Sequence, residues 1–422
     1  MKASPSGSTK GLLLVLLTSA AAAGAWTGVE DSLPILPLDS VLSRVSSRHP
    51  EIRMWELRAR SRTEAARGAD AWMPPEVGVG GSELSYGGLS GMAEGEPALM
   101  LSARQMVPGP GKRAARRRHL ESLADRDRAE GGWMEAQLRA DARAQYARMA
   151  TARRRLAVLG EAKGVMRFML EVAEVRFKLR KSDLATVFQA RARLEELENM
   201  RVMEVSMHRQ AASALVLLMA EPDRAPFTAD TTIRPGLPVS VPDRALLARR
   251  GDLARLDREL RSMDLALEAM RRGRRPDFGV QFDHMEMGEM GRRFSAMAMM
   301  TLPLAPWSAG MVRSDIAAMR KDIESMRADR EARFLMARRM AEEMRIMLEA
   351  EIEQYRRLEA GIAPAYRKSL DAATAAYQEG AGDLFRVLDA WDRWLMARMQ
   401  SLEHFGQALT LEARYALETG ER

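Results

Sequence analysis

The sequence predicts a mainly α protein with a small β part, built as a duplicated strand-hairpin and long-helix repeat. Three observations carry this. Helix-forming stretches rich in Arg, Ala, Glu, Met and Leu run far beyond ordinary helix length. Short alternating segments bounded by Gly and Pro interrupt them twice. The two halves match each other at an offset of about 200 residues, far longer than a solenoid repeat.

The duplication is visible in two places. VRFKLRKSDLATVFQARARL at 175–194 aligns with AAYQEGAGDLFRVLDAWDRW at 375–394, so that Asp183, Leu184, Val187, Ala190 and Arg193 coincide with Asp383, Leu384, Val387, Ala390 and Arg393. Earlier in each half, Glu51-Ile52 aligns with Asp252-Leu253, Arg60-Ser61 with Arg261-Ser262, and Pro75-Glu76 with Pro276-Asp277. The same order at nearly the same offset argues for duplication. The expected organisation is a signal peptide at 1–25, a first repeat at 26–220, a proline-rich linker at 221–242 and a second repeat at 243–422.

Each element follows from local chemistry. Lys2 and Lys10 precede the apolar run GLLLVLL and the small residues Ala23-Gly24-Ala25, the pattern of an export signal with cleavage after Ala25. That run is too short for a spanning helix, and no later segment is an apolar 20-mer, so any membrane entry must use strands. Helical periodicity covers 38–71 and ends at Pro74-Pro75. Segments 76–86 and 99–107 read as strands around a glycine-containing loop. After Pro108-Gly109-Pro110-Gly111, a helix is expected over 112–177, roughly 100 Å at ~1.5 Å per residue. A stop at 179–182 leads to a helix over 183–220. The second half repeats the order, with a helix at 243–273, strands at 277–287 and 293–302, a long helix at 308–377, a glycine turn at 380–382 and a helix at 383–417.

Such helices must pack side by side. Leu156, Leu159, Met166, Leu170, Ala173 and Phe177 form one seam of 3–4 spacing, and Met344, Leu348, Tyr355, Leu358, Ile362, Ala365 and Ala376 another. Repeats near 3.5 residues predict left-handed supercoiling. Gly131-Gly132 and Pro364 are expected points of local bending. The strands have the length of tilted membrane strands, with Val77 and Val79 on one face, Phe278, Val280 and Phe282 on one face, and Phe294, Ala296, Ala298 and Met300 alternating with Ser295, Met297, Met299 and Thr301. Four strands cannot close a barrel, so the chain must oligomerise if they span; residues alone do not choose between two and three copies.

Several function classes are excluded. The absence of cysteine removes disulfides, zinc–thiolate sites, a thiol nucleophile and a lipidated N-terminal cysteine. There is no GxSxG elbow, P-loop, HExxH pair or dinucleotide fingerprint, so no enzyme and no cofactor is expected. The net charge of +7 does not indicate nucleic acid, because Arg is interleaved with Asp and Glu. The run RAARRR at 113–118 suits lipid headgroups or an acidic partner. His49, His119, His208, His284 and His404 show no ligand spacing, so no metal site is expected. Met285, Met287, Met290, Met297, Met299 and Met300, with His284, suit Cu(I) chemically, but the expectation is apolar filling of a lipid-facing strand or a helix seam.

The order of these pieces resembles the TolC-like outer-membrane efflux protein family. The residues carrying the resemblance are 38–75, PGPGKR at 108–113, and Tyr377-Gln378-Glu379-Gly380 followed by Asp383-Leu384 and Val387-Leu388-Asp389-Ala390. PGPGKR looks most like the heavy-metal efflux branch, which would imply metal resistance. The resemblance implies a homotrimer with a 12-stranded outer-membrane β-barrel continued by a periplasmic α-helical barrel. It implies passive export through a porin-like channel, served by a periplasmic adaptor protein and an inner-membrane efflux pump, with outer-membrane lipid around the barrel. It places adaptor docking at the helix-hairpin tips, Arg180, Lys181, Ser182 and Asp183 in the first half and Gly380, Ala381, Gly382 and Asp383 in the second. Arg180 stands where the family usually has glycine. It places the channel gate above the tips, at Asp389, at Arg386 where an acid is usual, and at Gln189. The alternative from another class is a soluble periplasmic coiled-coil scaffold or adaptor, resembling a membrane-fusion protein.

Overall fold

A computed structural model describes residues 33–82, 98–237, 244–287, 291–301, 303 and 309–420. The export signal, the loop after the first strand and the segment at 238–243 lie outside these residues, as does most of the break at 303–306. The elements in chain order are α1 Leu38–Arg48, α2 Pro50–Gly68, β1 Glu76–Ser82, β2 Ala98–Val107, α3 Lys112–Lys178, α4 Leu184–Leu218, α5 Arg244–Leu247, α6 Gly251–Gly273, β3 Phe278–Met287, β4 Gly291–Met300, α7 Ala309–Arg357, a π-helical turn Leu358–Ile362, α8 Ala363–Gln378 and α9 Leu384–Thr419. The helix expected over 38–71 is two helices. Pro50 forbids an α conformation before it, and His49 is extended at φ −63°, ψ 128°.

The chain forms two compact units, each drawing on both halves of the sequence. The first comprises Met1–His49, Gln137–Val241 and Glu342–Leu417. Its core lies along four helical segments: Leu159, Ala162, Met166, Met169 and Ala173 of α3 pack with Val187, Ala190 and Leu197 of α4, Leu370 and Tyr377 of α8, and Val387, Trp391 and Trp394 of α9. The α3 residues step by three and four, as a left-handed seam requires. Phe177, expected on that seam, is exposed, and Leu156 and Leu170 are half-buried.

The second seam shifts frame. Leu348, Ile352 and Leu358 are buried, but Ala363, Leu370 and Tyr377 then replace the expected Ile362, Ala365 and Ala376. The cause is the π-helical turn, which inserts one residue per turn. Pro364, without an N–H, sits in the first turn of α8 immediately after it. The expected disturbance at Pro364 is therefore a change of helix type. At Gly131 the helix continues, and the missing side chain admits Trp55, whose Cβ lies 3.1 Å from where a Cβ would stand.

The proline-rich segment contains no helix in its described part, but it is not loose. Phe227, Thr228 and Ala229 are buried, and Thr228 bridges Ile35. Tyr146 Oη donates to Leu36 O at 2.8 Å and accepts from Asp230 N at 2.8 Å. Arg153 donates to Ala229 O at 2.9 Å. These bonds satisfy the carbonyls and amides that an extended buried strap would otherwise leave open.

The second unit comprises Pro50–Ala136, Pro242–Ala341 and Glu418–Arg422. Helical cores form where Leu253 and Leu256 meet Phe334 and Ala341, and where Leu267 meets Ile316 and Ile323. Its sheet is four-stranded in the order β1-β2-β3-β4, all antiparallel, with β2 and β3 joining the two repeats. Register separates two chemistries. Val77, Val79, Leu99, Leu101, Phe278, Val280, Phe282, Phe294 and Met300 share one face and are exposed. Phe282 and Phe294 stack there at 6.4 Å. The opposite face carries Glu76, Ser102, Arg104, Gln281, Asp283 and Ser295. Arg104 donates to Gln281 at 2.9 Å, and Asp283 accepts from Gln281 at 2.9 Å and from Ser295 at 3.1 Å.

The PGPGKR segment closes the base of the sheet. Asp277 Oδ1 accepts from Gly109 N at 2.7 Å and pairs with Lys112 Nζ at 2.7 Å, while Arg275 donates to Pro110 O at 2.7 Å. Arg113 donates to Asp70 O, Arg117 pairs with Asp70 at 2.5 Å and Arg118 with Glu268 at 2.9 Å. The basic run is thus largely committed within its own unit. A Cβ at Gly109 would overlap Pro276 O and lie 3.2 Å from its carbonyl carbon. Gly109→Ala should therefore cost roughly 1–3 kcal/mol by forcing the two strand bases apart. Gly132→Ala, which meets nothing within 4 Å, should be neutral or stabilise by up to ~1 kcal/mol. Denaturation midpoints of the purified variants check both, and equal midpoints would refute the clasp.

Candidate functional site

The candidate site is the pair of helix-hairpin tips in the first unit. Both tips are the same hydrogen-bonded turn. In the first, Arg180 N donates to Phe177 O at 2.9 Å and Lys181 N to Arg176 O at 2.8 Å. In the second, Gly380 N donates to Tyr377 O at 3.2 Å and Ala381 N to Ala376 O at 3.0 Å. Each turn consumes carbonyls that the ending helix leaves open and needs one residue in the left-handed region. Gly380 takes it at φ 83°, and Arg180 takes it at φ 57°. Arginine in this conformation bears a Cβ clash of roughly 1–2 kcal/mol that glycine avoids.

The returning helices start on acids. Asp183 Oδ1 accepts from Thr186 N at 2.9 Å and Thr186 Oγ1 at 2.6 Å. Asp383 Oδ1 accepts from Arg386 N at 2.9 Å. Both are N-caps, as their position before an apolar helical run requires. The Thr186 hydroxyl and amide hold the Asp183 carboxyl below the usual carboxylate range.

A groove of about 500 Å³ lies beside the tips, lined by Phe168, Val175, Arg176, Leu179, Lys181 and Glu379 among others. It thus joins the end of α3 to the turn after α8. Arg176 fixes that junction: its guanidinium donates to Tyr377 O at 2.6 Å and lies 4.5 Å from the Tyr377 ring centroid. Sequence reasoning singled out Tyr377 but not Arg176, Phe168 or Val175. Val175, Leu179 and Phe168 are exposed apolar residues, a mixture with the flanking charges that suits a protein partner better than a small polar ligand.

Above the tips, Asp389, Arg386 and Gln189 are all exposed. Asp389 pairs with Arg393 on its own helix at 3.1 Å, not with Arg386. An ion pair that sequence reasoning missed lies between α4 and α9, where Arg193 meets Asp392 at 2.8 Å. Burial pushes the Asp392 carboxyl up, and Arg193 opposes that shift. Among the described residues no group of His, Cys, Asp or Glu is placed to hold a metal.

Two outcomes are expected at the tips. Arg180→Gly should stabilise the first tip by about 1 kcal/mol and Gly380→Ala should weaken the second by a similar amount, read as slower and faster hydrogen exchange at the tip amides. Because the Asp183 carboxyl is depressed in the fold, its cap contributes above the unfolded-state value and is lost as pH falls through the lower folded one. Exchange at the start of α4 should rise in that acidic window, and Asp183→Asn, which has no carboxyl to titrate, should abolish that rise.

No protein-family model matches the sequence, and no curated protein matches it. Solved structures do. The outer-membrane channel OprN is 16% identical at a TM-score of 0.75, over 91% of this chain and 90% of that one. CusC, described for its transmembrane channel formation, is 16% identical at 0.75, over 93% and 92%. The outer membrane protein VceC from Vibrio cholerae is 16% identical at 0.71, over 91% and 96%. The resemblance read from the sequence therefore holds at the level of architecture: this chain has the fold of the TolC-like outer-membrane channels.

Proposed function

We propose that the chain is the outer-membrane channel component of a tripartite efflux or export system, a passive conduit rather than an enzyme. Three copies would close a 12-stranded barrel in the outer membrane, continued by helices into the periplasm. A periplasmic adaptor protein would dock at the tips, and an inner-membrane pump would deliver the substrate. The observation that carries this reading is the sheet: one face is exposed and mainly apolar, with Gln105, His284 and the pair Glu286–Arg292 as its polar members, the other carries hydrogen-bonded polar side chains among methionines, and β1 and β4 form its edges. An open apolar sheet is unstable in water as a monomer and impossible in lipid without closure. No described helix is long and apolar enough to cross a membrane; in this reading the exposed apolar side chains of the sheet would supply the membrane contact.

The tip groove supports the docking role, because apolar and charged residues alternate along it. The gate role would fall to Asp389, with Arg386 on the same helix and Gln189 as its counterpart in the first repeat. Threefold repetition of Asp389 around one axis would crowd like charges and attract cations.

Expression with the native N-terminus should give heat-modifiable trimers in the outer-membrane fraction that conduct in planar bilayers. A detergent-independent monomer released with the periplasm would overturn the proposal in favour of a soluble scaffold. Within conducting trimers, Asp389→Ala should change single-channel conductance and weaken block by multivalent cations. Unchanged traces would remove Asp389 from the gate. Arg180 and Gly380, substituted together, should lower resistance at unchanged protein level if the tips dock an adaptor.

A further inference from the structure

At the base of the sheet, within the second unit, two surfaces of different chemistry meet. The exposed apolar face ends on Phe278 and Met300, which are direct cross-strand partners. Trp72 and Met73, just before β1, are exposed as well. Both are tied to this end of the unit. Gln105, a member of the same sheet face, donates from Nε2 to Met73 O at 2.9 Å. Arg113 donates to Asp70 O at 2.7 Å, and its guanidinium lies 5.8 Å from the Trp72 ring centroid. A tryptophan with an apolar body and a polar tip suits the boundary between hydrocarbon and water.

Arginines from both repeats gather beside these residues. Lys112, Arg113, Arg116, Arg117 and Arg118 open α3, while Arg271 and Arg272 close α6 and Arg274 and Arg275 follow it. The two helix ends adjoin: Arg118 pairs with Glu268 at 2.9 Å, and Arg275 donates to Pro110 O at 2.7 Å. The acids here are already engaged, Asp70 by Arg117, Glu268 by Arg118 and Arg272, and Asp277 by Lys112. Arg116, Arg271 and Arg274 are exposed and, among the described residues, pair with no acid. Of the arginines in the run at 113–118, only Arg116 is thus left free. Local stability does not account for it, because α3 has no acid in its first turn and cations at a helix start oppose the helix dipole.

We propose that Arg116, Arg271 and Arg274 form a docking surface for anionic phospholipid headgroups, on the leaflet reached by the base of the sheet. The surface rests on the conduit reading, which supplies the bilayer. Charge and apolar contact together select this occupant. A phosphodiester offers acceptor oxygens that guanidinium groups hold in a fork. The acyl chains of the same molecule would lie along Phe278, Met300, Trp72 and Met73. An acidic protein would match the arginines but provide no hydrocarbon for the apolar residues beside them.

The test uses the full-length protein reconstituted into phosphatidylcholine bilayers, with brominated phosphatidylglycerol or brominated phosphatidylcholine as the probe. Quenching of tryptophan fluorescence reads the relative affinity for the two lipids. The parent should prefer phosphatidylglycerol by about tenfold or more, and added salt should reduce that preference. The combined Arg116→Gln, Arg271→Gln and Arg274→Gln variant breaks no ion pair and should lose the preference. Arg148→Gln, Arg167→Gln and Arg356→Gln, combined in the first unit at exposed positions, remove as much charge and should retain it. A preference that survives the first combined variant, or falls equally in the second, overturns the proposal. Current in planar bilayers is measured in parallel. A conducting parent without lipid preference overturns the headgroup surface, points the arginines to an acidic protein and leaves the channel standing. A preference that depends on the three arginines, without current, sinks the channel and leaves the surface.

Discussion

The structure depends on the backbone groups at the two edges of its sheet. In the order β1-β2-β3-β4, the pairing of β2 with β3 fuses the hairpins of both repeats and uses up their inner edges. What remains is one edge from each repeat. An even number of alternating strands means that β4 of one copy meets β1 of the next antiparallel, so the ladder continues without a change of pairing type. In the proposed assembly that contact would be head-to-tail, which generates rings. A ring is the one arrangement that pairs every edge while facing apolar side chains outward. The cyclic assembly proposed above would thus satisfy the backbone groups at both edges that the duplicated hairpins leave open.

The helices meet a different constraint, that of keeping one stripe buried over many turns. In the first unit the stripe on α3 holds to three- and four-residue steps and is made of small or flexible residues, Ala162, Met166, Met169 and Ala173. On the other strand of the repeat the stripe would drift, and the turn Leu358–Ile362 resets it by one residue. Leu358 and Ala363 are both buried on either side of that step. The opposing α9 presents Trp391 and Trp394, large side chains that a tightly spaced alanine seam leaves room for.

Much of this was legible because periodicity reports burial directly. Element order, the strand pairs and the two acid caps follow from spacing, proline and glycine. Three things were not legible. Pro50 was overlooked because the apolar pattern continues across it, although its steric effect on His49 is local and could have been read. The π-helical turn was invisible because it changes which residues are buried without changing the composition that signals a helix. The groove beside the tips depends on Arg176 meeting Tyr377 from the other repeat, and no local pattern marks a side chain whose partner is about half the chain away. Asp389, Arg386 and Gln189, proposed for the gate, are exposed, and their chemistry in the protomer is ordinary. Asp389 pairs with Arg393 one helical turn on, an arrangement worth little at an exposed site.

The two tips show what the repeat has kept and what it has let diverge. Three hydrogen bonds correspond, among them Lys181 to Arg176 and Ala381 to Ala376, the second tip adds one from Gly382 N to Ala376 O, and the left-handed position falls at the same step. Backbone geometry is thus set by the helix ends and does not require glycine. At Gly380 the residue suits the conformation; at Arg180 it opposes it. A residue that costs stability where it stands, exposed and beside another cation at Lys181, is not explained by the turn. Its neighbours, not Arg180 itself, line the groove: Lys181 and Arg176 from the first tip and Glu379 from the second. In the docking role proposed above, the first tip would bring cations and the second a compact turn, and residues of both line the one groove, so that two copies of one turn make a surface neither could form alone.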